Sequence, residues 1–258
     1  MSRIPIALEL YSVRNEMVKD PLGTLKAVKA MGYEGVEFAG DPRHTPAEYA
    51  AMLKEADLVC CGWHTGFPRV QDDTIEATIA LNKAVGNEFV IIPGVGGEFR
   101  ESADALRRLA GIFTDLVGKL GAADLATGYH NHNWEFTLID GELPWDIIFG
   151  DTPTAFNMQI DTGNALHGGA NPIPFFEKYP GRSRTVHLKP YHSGIGETDP
   201  QEGFATMIGE DTVPWQEVFD FCETKGATEW YIIEYEADKY PPLDAVDRCL
   251  KAVKAMGK

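Results

Sequence analysis

Cysteine is scarce in this chain and poorly spaced for chemistry. There are four, of which Cys60 and Cys61 are adjacent while Cys222 and Cys249 fall in helical patterns, so neither a disulfide framework nor a paired-cysteine zinc motif is present. They read as reduced core residues. Long apolar runs are missing as well: FVIIPGVGG and WYIIEYE stop far short of the roughly 20 residues that a membrane-spanning helix requires. The opening MSRIPIALELYSV runs directly into a strand-like pattern without the small-residue cleavage site of a secretory leader, so a cytoplasmic location is expected. Basic charge is also in deficit, with 23 Lys and Arg against 39 Asp and Glu and a net charge of −16. That balance argues against nucleic acid as a partner, because such binding draws its free energy from cations set against phosphates. A small neutral or weakly charged ligand, or a metal cation, fits it better. No low-complexity tract or composition shift divides the chain, and 44% of its 258 residues are hydrophobic. One domain over residues 1–258 is the reading.

What is present is a regular alternation. Short apolar segments rich in β-branched and aromatic residues recur at 4–10, 33–38, 58–64, 88–93, 126–132, 155–161, 184–189 and 229–235. Between them lie amphipathic helical patterns such as PLGTLKAVKAMG, PAEYAAMLKEAD, TIEATIALNKAVG and ALRRLAGIFTDLVGKLGAA. Asp20 before Pro21 and Thr45 before Pro46 read as an N-cap followed by a first-turn proline. Strands alternating with helices demand crossover connections and hence a parallel sheet with helices outside. Eight such units in this length predict an α/β fold, a single-domain (β/α)8 TIM barrel. An open doubly wound sheet fits less well, because the first strand continues into YSVRNEM where a glycine-rich dinucleotide fingerprint would stand.

In such a barrel chemistry belongs at the carboxyl ends of the strands. Those ends carry Glu9 and Tyr11, Glu37, Trp63 and His64, His130 and His132, Asp161, His187 and Lys189, and Glu234 and Glu236. Strand alternation sends residues two apart to one side, so His130 pairs with His132, His187 with Lys189, and Glu234 with Glu236. The last four strands thus offer His, Asp, His and Glu around one arc. This mixed nitrogen and oxygen set suits one divalent ion, with Mn, Zn or Co the expected metals. One imidazole of the His130/His132 pair is expected to bind it and the other to orient it or touch substrate. Phe67, Trp134, Phe136 and Phe204 are candidate walls over a sugar ring.

The motifs LYSVRNEM, MGYEGVEFAG, YHNHNWEF, QIDTGNALHGGANP, TVHLKPY and IIEYE, one per strand and nearly end to end, resemble the sugar phosphate isomerase/epimerase family of xylose isomerase-like barrels. That resemblance implies a metal held by the residues matching Asp161, His187 and Glu234, with His130 standing where many relatives have glutamate. It also implies proton abstraction beside a carbonyl. On that expectation Glu234, Glu37, Lys189 and His64 are the catalytic candidates, and Glu9, Tyr11, His132, Trp134 and Glu236 the substrate-binding ones. The implied activity is isomerisation or epimerisation of a keto-sugar or related polyol through an enediolate. A lyase or dehydratase acting on a keto-sugar or keto-inositol is the alternative, followed by a sugar-binding member without turnover. Family members often assemble into homo-oligomers. The abasic-site endonucleases of the same superfamily use a basic DNA-binding face, and the net charge of −16 argues against that reading here.

Overall fold

The computed structural model describes residues 3–258. Eight strands form one parallel sheet: β1 Ile6–Glu9, β2 Gly35–Ala39, β3 Val59–His64, β4 Phe89–Ile92, β5 Ala126–His130, β6 Asn157–Gln159, β7 Thr185–Leu188 and β8 Trp230–Ile233. Hydrogen-bonded neighbours run β6-β5-β4-β3-β2-β1-β8-β7. The two ends of that series meet. The Met158 amide donates to the Arg182 carbonyl at 2.7 Å, the His187 amide donates to the Ile160 carbonyl at 2.9 Å, and Asp161 bridges to His187. The sheet is therefore a (β/α)8 barrel whose seam, between β6 and β7, is thinner than its other joints.

Every predicted strand exists in the predicted order, but several are shorter. The segment expected at 126–132 pairs only to His130, that at 155–161 only over 157–159, and that at 229–235 only over 230–233. The cause is chemical. Past those points side chains take up part of the backbone, the Asp161 amide donating to Asn131 Oδ1 and the Tyr235 amide to Ser12 Oγ, while Ile160 and Glu234 keep single bonds to β7. Asp161 leaves the ladder to cap the helix Thr162–His167.

Local signals operate as read from the sequence. The Asp20 side chain accepts from the Gly23 amide ahead of helix Pro21–Met31, and Thr45 with Glu48 makes a capping box before Pro46–Ala56. The long helix Ala103–Gly121 turns Leu106, Leu109, Phe113, Leu116 and Leu120 inward, the spacing of one helical face. All four cysteines are buried and unpaired. Most of the core lies between barrel and helices, where Val36, Val90, Tyr129, Met158 and Val186 point outward from their strands. Inside the barrel a small apolar layer of Ala7, Cys61 and Ile232 closes the floor. Two residues farther along β1 and β8 stand Glu9 and Glu234, so strand alternation places a polar layer on top of that apolar plug.

Candidate active site at the barrel mouth

The polar layer begins with Glu37, midway along β2 and without solvent exposure. Its Oε2 lies 2.6 Å from His187 Nε2 and 3.3 Å from His64 Nε2. Gln159 donates from Nε2 to both Glu37 oxygens, at 3.1 and 3.3 Å, and to Thr185 Oγ1 at 2.9 Å. The Gln159 oxygen faces two imidazoles, His64 Nε2 at 2.7 Å and His130 Nδ1 at 3.1 Å. On its outer side, His187 presents Nδ1 to Glu234 Oε2 at 2.6 Å and to Asp161 Oδ2 at 3.9 Å. His130 Nε2 lies 3.9 Å from the same Asp161 oxygen. Lys189 Nζ closes the rim, 3.1 Å from Glu234 Oε1 and 2.8 Å from Glu236 Oε1.

Asp161 is divided between two tasks. Its Oδ1 accepts from the Asn164 amide at 2.6 Å, which caps the following helix. Its Oδ2 is buried and has no hydrogen-bond partner. A buried carboxylate oxygen without a donor is costly unless something positive meets it. The Asp161 backbone is fixed by Asn131, whose Oδ1 accepts from the Asp161 amide at 2.8 Å, and Asn131 is in turn held by Asn164 through its carbonyl.

The electrostatics follow from burial and from the charges packed together. Burial pushes the Asp161 carboxyl up to about 7, against the pull of Lys189. Burial alone would raise Glu234, but Lys189 and the His187 hydrogen bond outweigh it and hold the carboxyl well below the usual range. Glu37 is likewise held low by His64 and His187 against the effect of burial. Burial would lower His187, yet hydrogen bonds to Glu234 and Glu37 raise it well above the ordinary imidazole range. His130 is pushed well below that range by burial and by the neighbouring His187 and His64. Burial disfavours the Lys189 ammonium, but Glu234, Asp161 and Glu236 more than restore it. Three carboxyl groups, three imidazoles and one ammonium therefore share one buried cluster.

His130, Asp161, His187 and Glu234 each offer a ligand atom within 4.8 Å of the other three, and all four are buried. Two overlapping groups, His64 with His130 and His187, and Glu9 with Glu37, His64 and His187, meet the same distance limit. The first of the three groups alone contains the partnerless Asp161 oxygen and lies under the Lys189 rim. Its two imidazole nitrogens and two carboxylates match the donor set of a divalent transition metal.

The other residues expected at the mouth range from buried to exposed. Glu9, Glu37 and His64 are buried beside the four donors, with Glu37 against His187 and the His64 ring stacked on that imidazole. Glu9 accepts from the Tyr11 amide at 3.2 Å, and its other oxygen is buried without a partner. Burial and the adjacent Glu37 raise the Glu9 carboxyl well above its ordinary value. Glu9 ends β1 and His64 ends β3, so these residues share the polar layer with the four donors. His132, expected to face the same way as His130, lies just past the end of β5 and is exposed, with ring centres 5.5 Å apart. Glu236 and Trp134 are half-buried, and the Arg100 guanidinium stacks 4.6 Å over the Trp134 ring. Tyr11 is exposed and lines an outer cavity with Arg14 and His44. Of the candidate aromatic walls, Phe204 stands under the Lys189 ammonium at 5.2 Å. Phe67 packs on Phe99 and Phe113, and Phe136 on Trp145.

Sequence reasoning overlooked Gln159 and Glu135. Gln159 stands two residues before Asp161, so the alternation that picked out Asp161 also marks it. Glu135 is fully buried, accepting from Tyr129 Oη at 2.6 Å and from the His132 amide at 2.9 Å. Nothing in its loop sequence signals burial.

Comparison with known proteins agrees with this architecture. A family model described as "Xylose isomerase-like TIM barrel" matches residues 25–256. An inosose dehydratase of Clostridium beijerinckii is 24% identical over 151 residues, 55% of this chain and 48% of that protein. The chain thus spans about half the length of the curated relatives it matches. The crystal structure of a sugar phosphate isomerase/epimerase from Parabacteroides distasonis is similar with a TM-score of 0.81 at 20% identity, over 98% of each chain. An L-ribulose 3-epimerase gives 0.70 at 15% identity, over 99% of this chain and 94% of that one. At these identities the structural likeness is one of fold.

Proposed function

Because the chain belongs to the xylose isomerase-like TIM barrel family, we infer that it is a metal-dependent enzyme that isomerises or epimerises a keto-sugar or related polyol through an enediolate. The observation that carries this reading is the convergence of His130, Asp161, His187 and Glu234 around the partnerless Asp161 oxygen. Those four residues would hold one Mn, Zn or Co ion, which when bound supplies Lewis acidity to a carbonyl and its neighbouring hydroxyl.

The protein's own groups do the rest. Glu234, kept ionised beside Lys189, takes the proton from the carbon next to the carbonyl and returns it to the neighbouring carbon, which completes the isomerisation. Lys189 Nζ, an ammonium shared between Glu234 and Glu236, sets positive charge beside the oxygen on which negative charge develops. His132, exposed above His130, and Trp134 at the rim offer a polar and a flat apolar contact to a sugar. The buried layer beneath excludes water from the floor.

One observation favours a second reading. On the resemblance read from YHNHNWEF, His130 stands where the family pattern has a glutamate, which would leave the site without a matched pair of carboxylates on opposite substrate faces. A site with one carboxylate base and an adjacent ammonium also suits β-elimination of water from a keto-sugar or keto-inositol. The similarity to inosose dehydratases supports that version.

Metal analysis and turnover in deuterium oxide test the proposal together. The purified protein is expected to hold one divalent ion per chain, and His187→Ala and Asp161→Ala to lose it. Incubation with a panel of keto-sugars and cyclitols should put solvent deuterium into a ketose if the enzyme isomerises, or raise an enone absorbance if it dehydrates. A wild-type protein that binds no divalent ion, or that binds sugars but exchanges no proton, would refute the assignment.

A further inference from the structure

Two imidazoles serve as metal donors only if each turns a lone pair toward the same point, and each ring has two nitrogens. The buried hydrogen bonds settle which nitrogen of His130 is free and which nitrogen of His187 stays committed to the Glu37 carboxylate. An ionised carboxylate only accepts, so the Gln159 amide group must present its NH2 to Glu37, and it donates to Thr185 Oγ1 as well. Thr185 Oγ1 is positioned by Asn157, whose Nδ2 donates to it at 2.8 Å while its Oδ1 accepts from the Arg184 amide at 2.9 Å. With its NH2 committed, Gln159 must turn Oε1 to the histidines. Both rings there must donate, His64 from Nε2 at 2.7 Å and His130 from Nδ1 at 3.1 Å. His130 Nε2 is then the free nitrogen, and it faces Asp161. On the other side of the same carboxylate His187 donates from Nε2 to Glu37 at 2.6 Å and from Nδ1 to Glu234 Oε2 at 2.6 Å. With Nε2 held by Glu37, Nδ1 is the nitrogen whose proton an ion beside Asp161 and Glu234 would replace.

We propose that Glu37 is a positioning residue that sets the tautomers of both histidines, acting on His187 directly and on His130 through Gln159. This rests on the reading that His130, Asp161, His187 and Glu234 hold a divalent ion. It explains how an imidazole can serve at position 130: the neighbouring strand supplies an acceptor for the nitrogen that does not face Asp161. It also accounts for Gly62, where a Cβ would lie 2.1 Å from Glu37 Oε1, so that only glycine leaves room for the carboxylate. Outer partners of metal-bound histidines fix ring orientation in this way, and losing one typically lowers metal affinity about 10- to 100-fold.

The test uses Zn2+ alone, titrated against a chromophoric chelator into metal-stripped wild-type, Glu37→Gln and Gln159→Ala proteins. Circular dichroism and thermal melts report whether each variant keeps its fold. Both variants are expected to fall about 10- to 100-fold in Zn2+ affinity while staying folded. Nitrogen NMR of 15N-histidine-labelled, Zn2+-loaded wild type provides a readout that needs no variant. It should find His187 protonated at Nε2 and His130 at Nδ1. Unchanged affinity in Glu37→Gln, or His130 protonated at Nε2, would overturn the role of Glu37 while leaving the metal site intact. If the wild type itself takes up no Zn2+, the metal reading fails and this one with it.

Discussion

Glu135 shows how much one carboxyl group can be asked to do. It ties the end of β5, through Tyr129 Oη, to the loop that carries His132, and it does so without solvent exposure. Burial raises it to about 7 despite the hydrogen bonds it accepts. An unfolded glutamate titrates near 4.3, so the folded state binds this proton more tightly. The stability so gained is complete below the unfolded value and is lost as pH rises through about 7. Relative to Glu135→Gln, which cannot ionise, the wild type should lose stability on the order of 3 kcal/mol between about pH 4 and about pH 8. Thermal melts of both proteins across that range check it. A stability difference that stays flat with pH would mean that Glu135 binds its proton no more tightly in the fold than in the unfolded chain.

The strands β5 and β6 depend on a close approach that only glycine permits. A Cβ on Gly128 would meet the Asn157 carbonyl oxygen at 2.2 Å, and backbone cannot swing aside as a long side chain can. Gly128→Ala should therefore push the two strands apart and cost about 3 kcal/mol or more, measured by urea unfolding. Because β6 carries Gln159 and is followed by Asp161, the same change should weaken divalent-metal uptake. A variant of native stability would show that the pair adjusts without strain.

Across the whole barrel, closure is uneven. Seven strand pairs have ladders, whereas β6 and β7 are joined through Met158 to Arg182, His187 to Ile160 and the single bridge Asp161 to His187. Fewer bonds mean a lower free energy of local opening. Amide exchange followed by mass spectrometry should find β6 and β7 less protected than β1 and β2. Asp161 and His187 stand on opposite sides of this seam, so Zn2+ held by both should slow exchange there more than elsewhere. Equal protection around the barrel in the metal-free protein would refute the weak seam. Among the described residues no helix is long and apolar enough to cross a membrane.

The order of eight strands and the residues at their ends were legible in the sequence because both rest on local periodicity. Alternation of period two names the inward residues, and the helix patterns between strands force parallel pairing. Asp161, His187 and Glu234 stood out on that ground, as did His130. Which of these polar side chains pack on one another was not legible. Glu9, Glu37 and His64 carry the same residue types as the four donors, and only the closed barrel brings Glu37 and His64 against His187. Nor could the chain reveal that Gln159 joins two histidines to Glu37 across 122 positions of sequence, since that contact exists only once the sheet has closed. Periodicity is a property of neighbours along the chain, while burial, hydrogen-bond direction and the convergence of donors belong to neighbours in space.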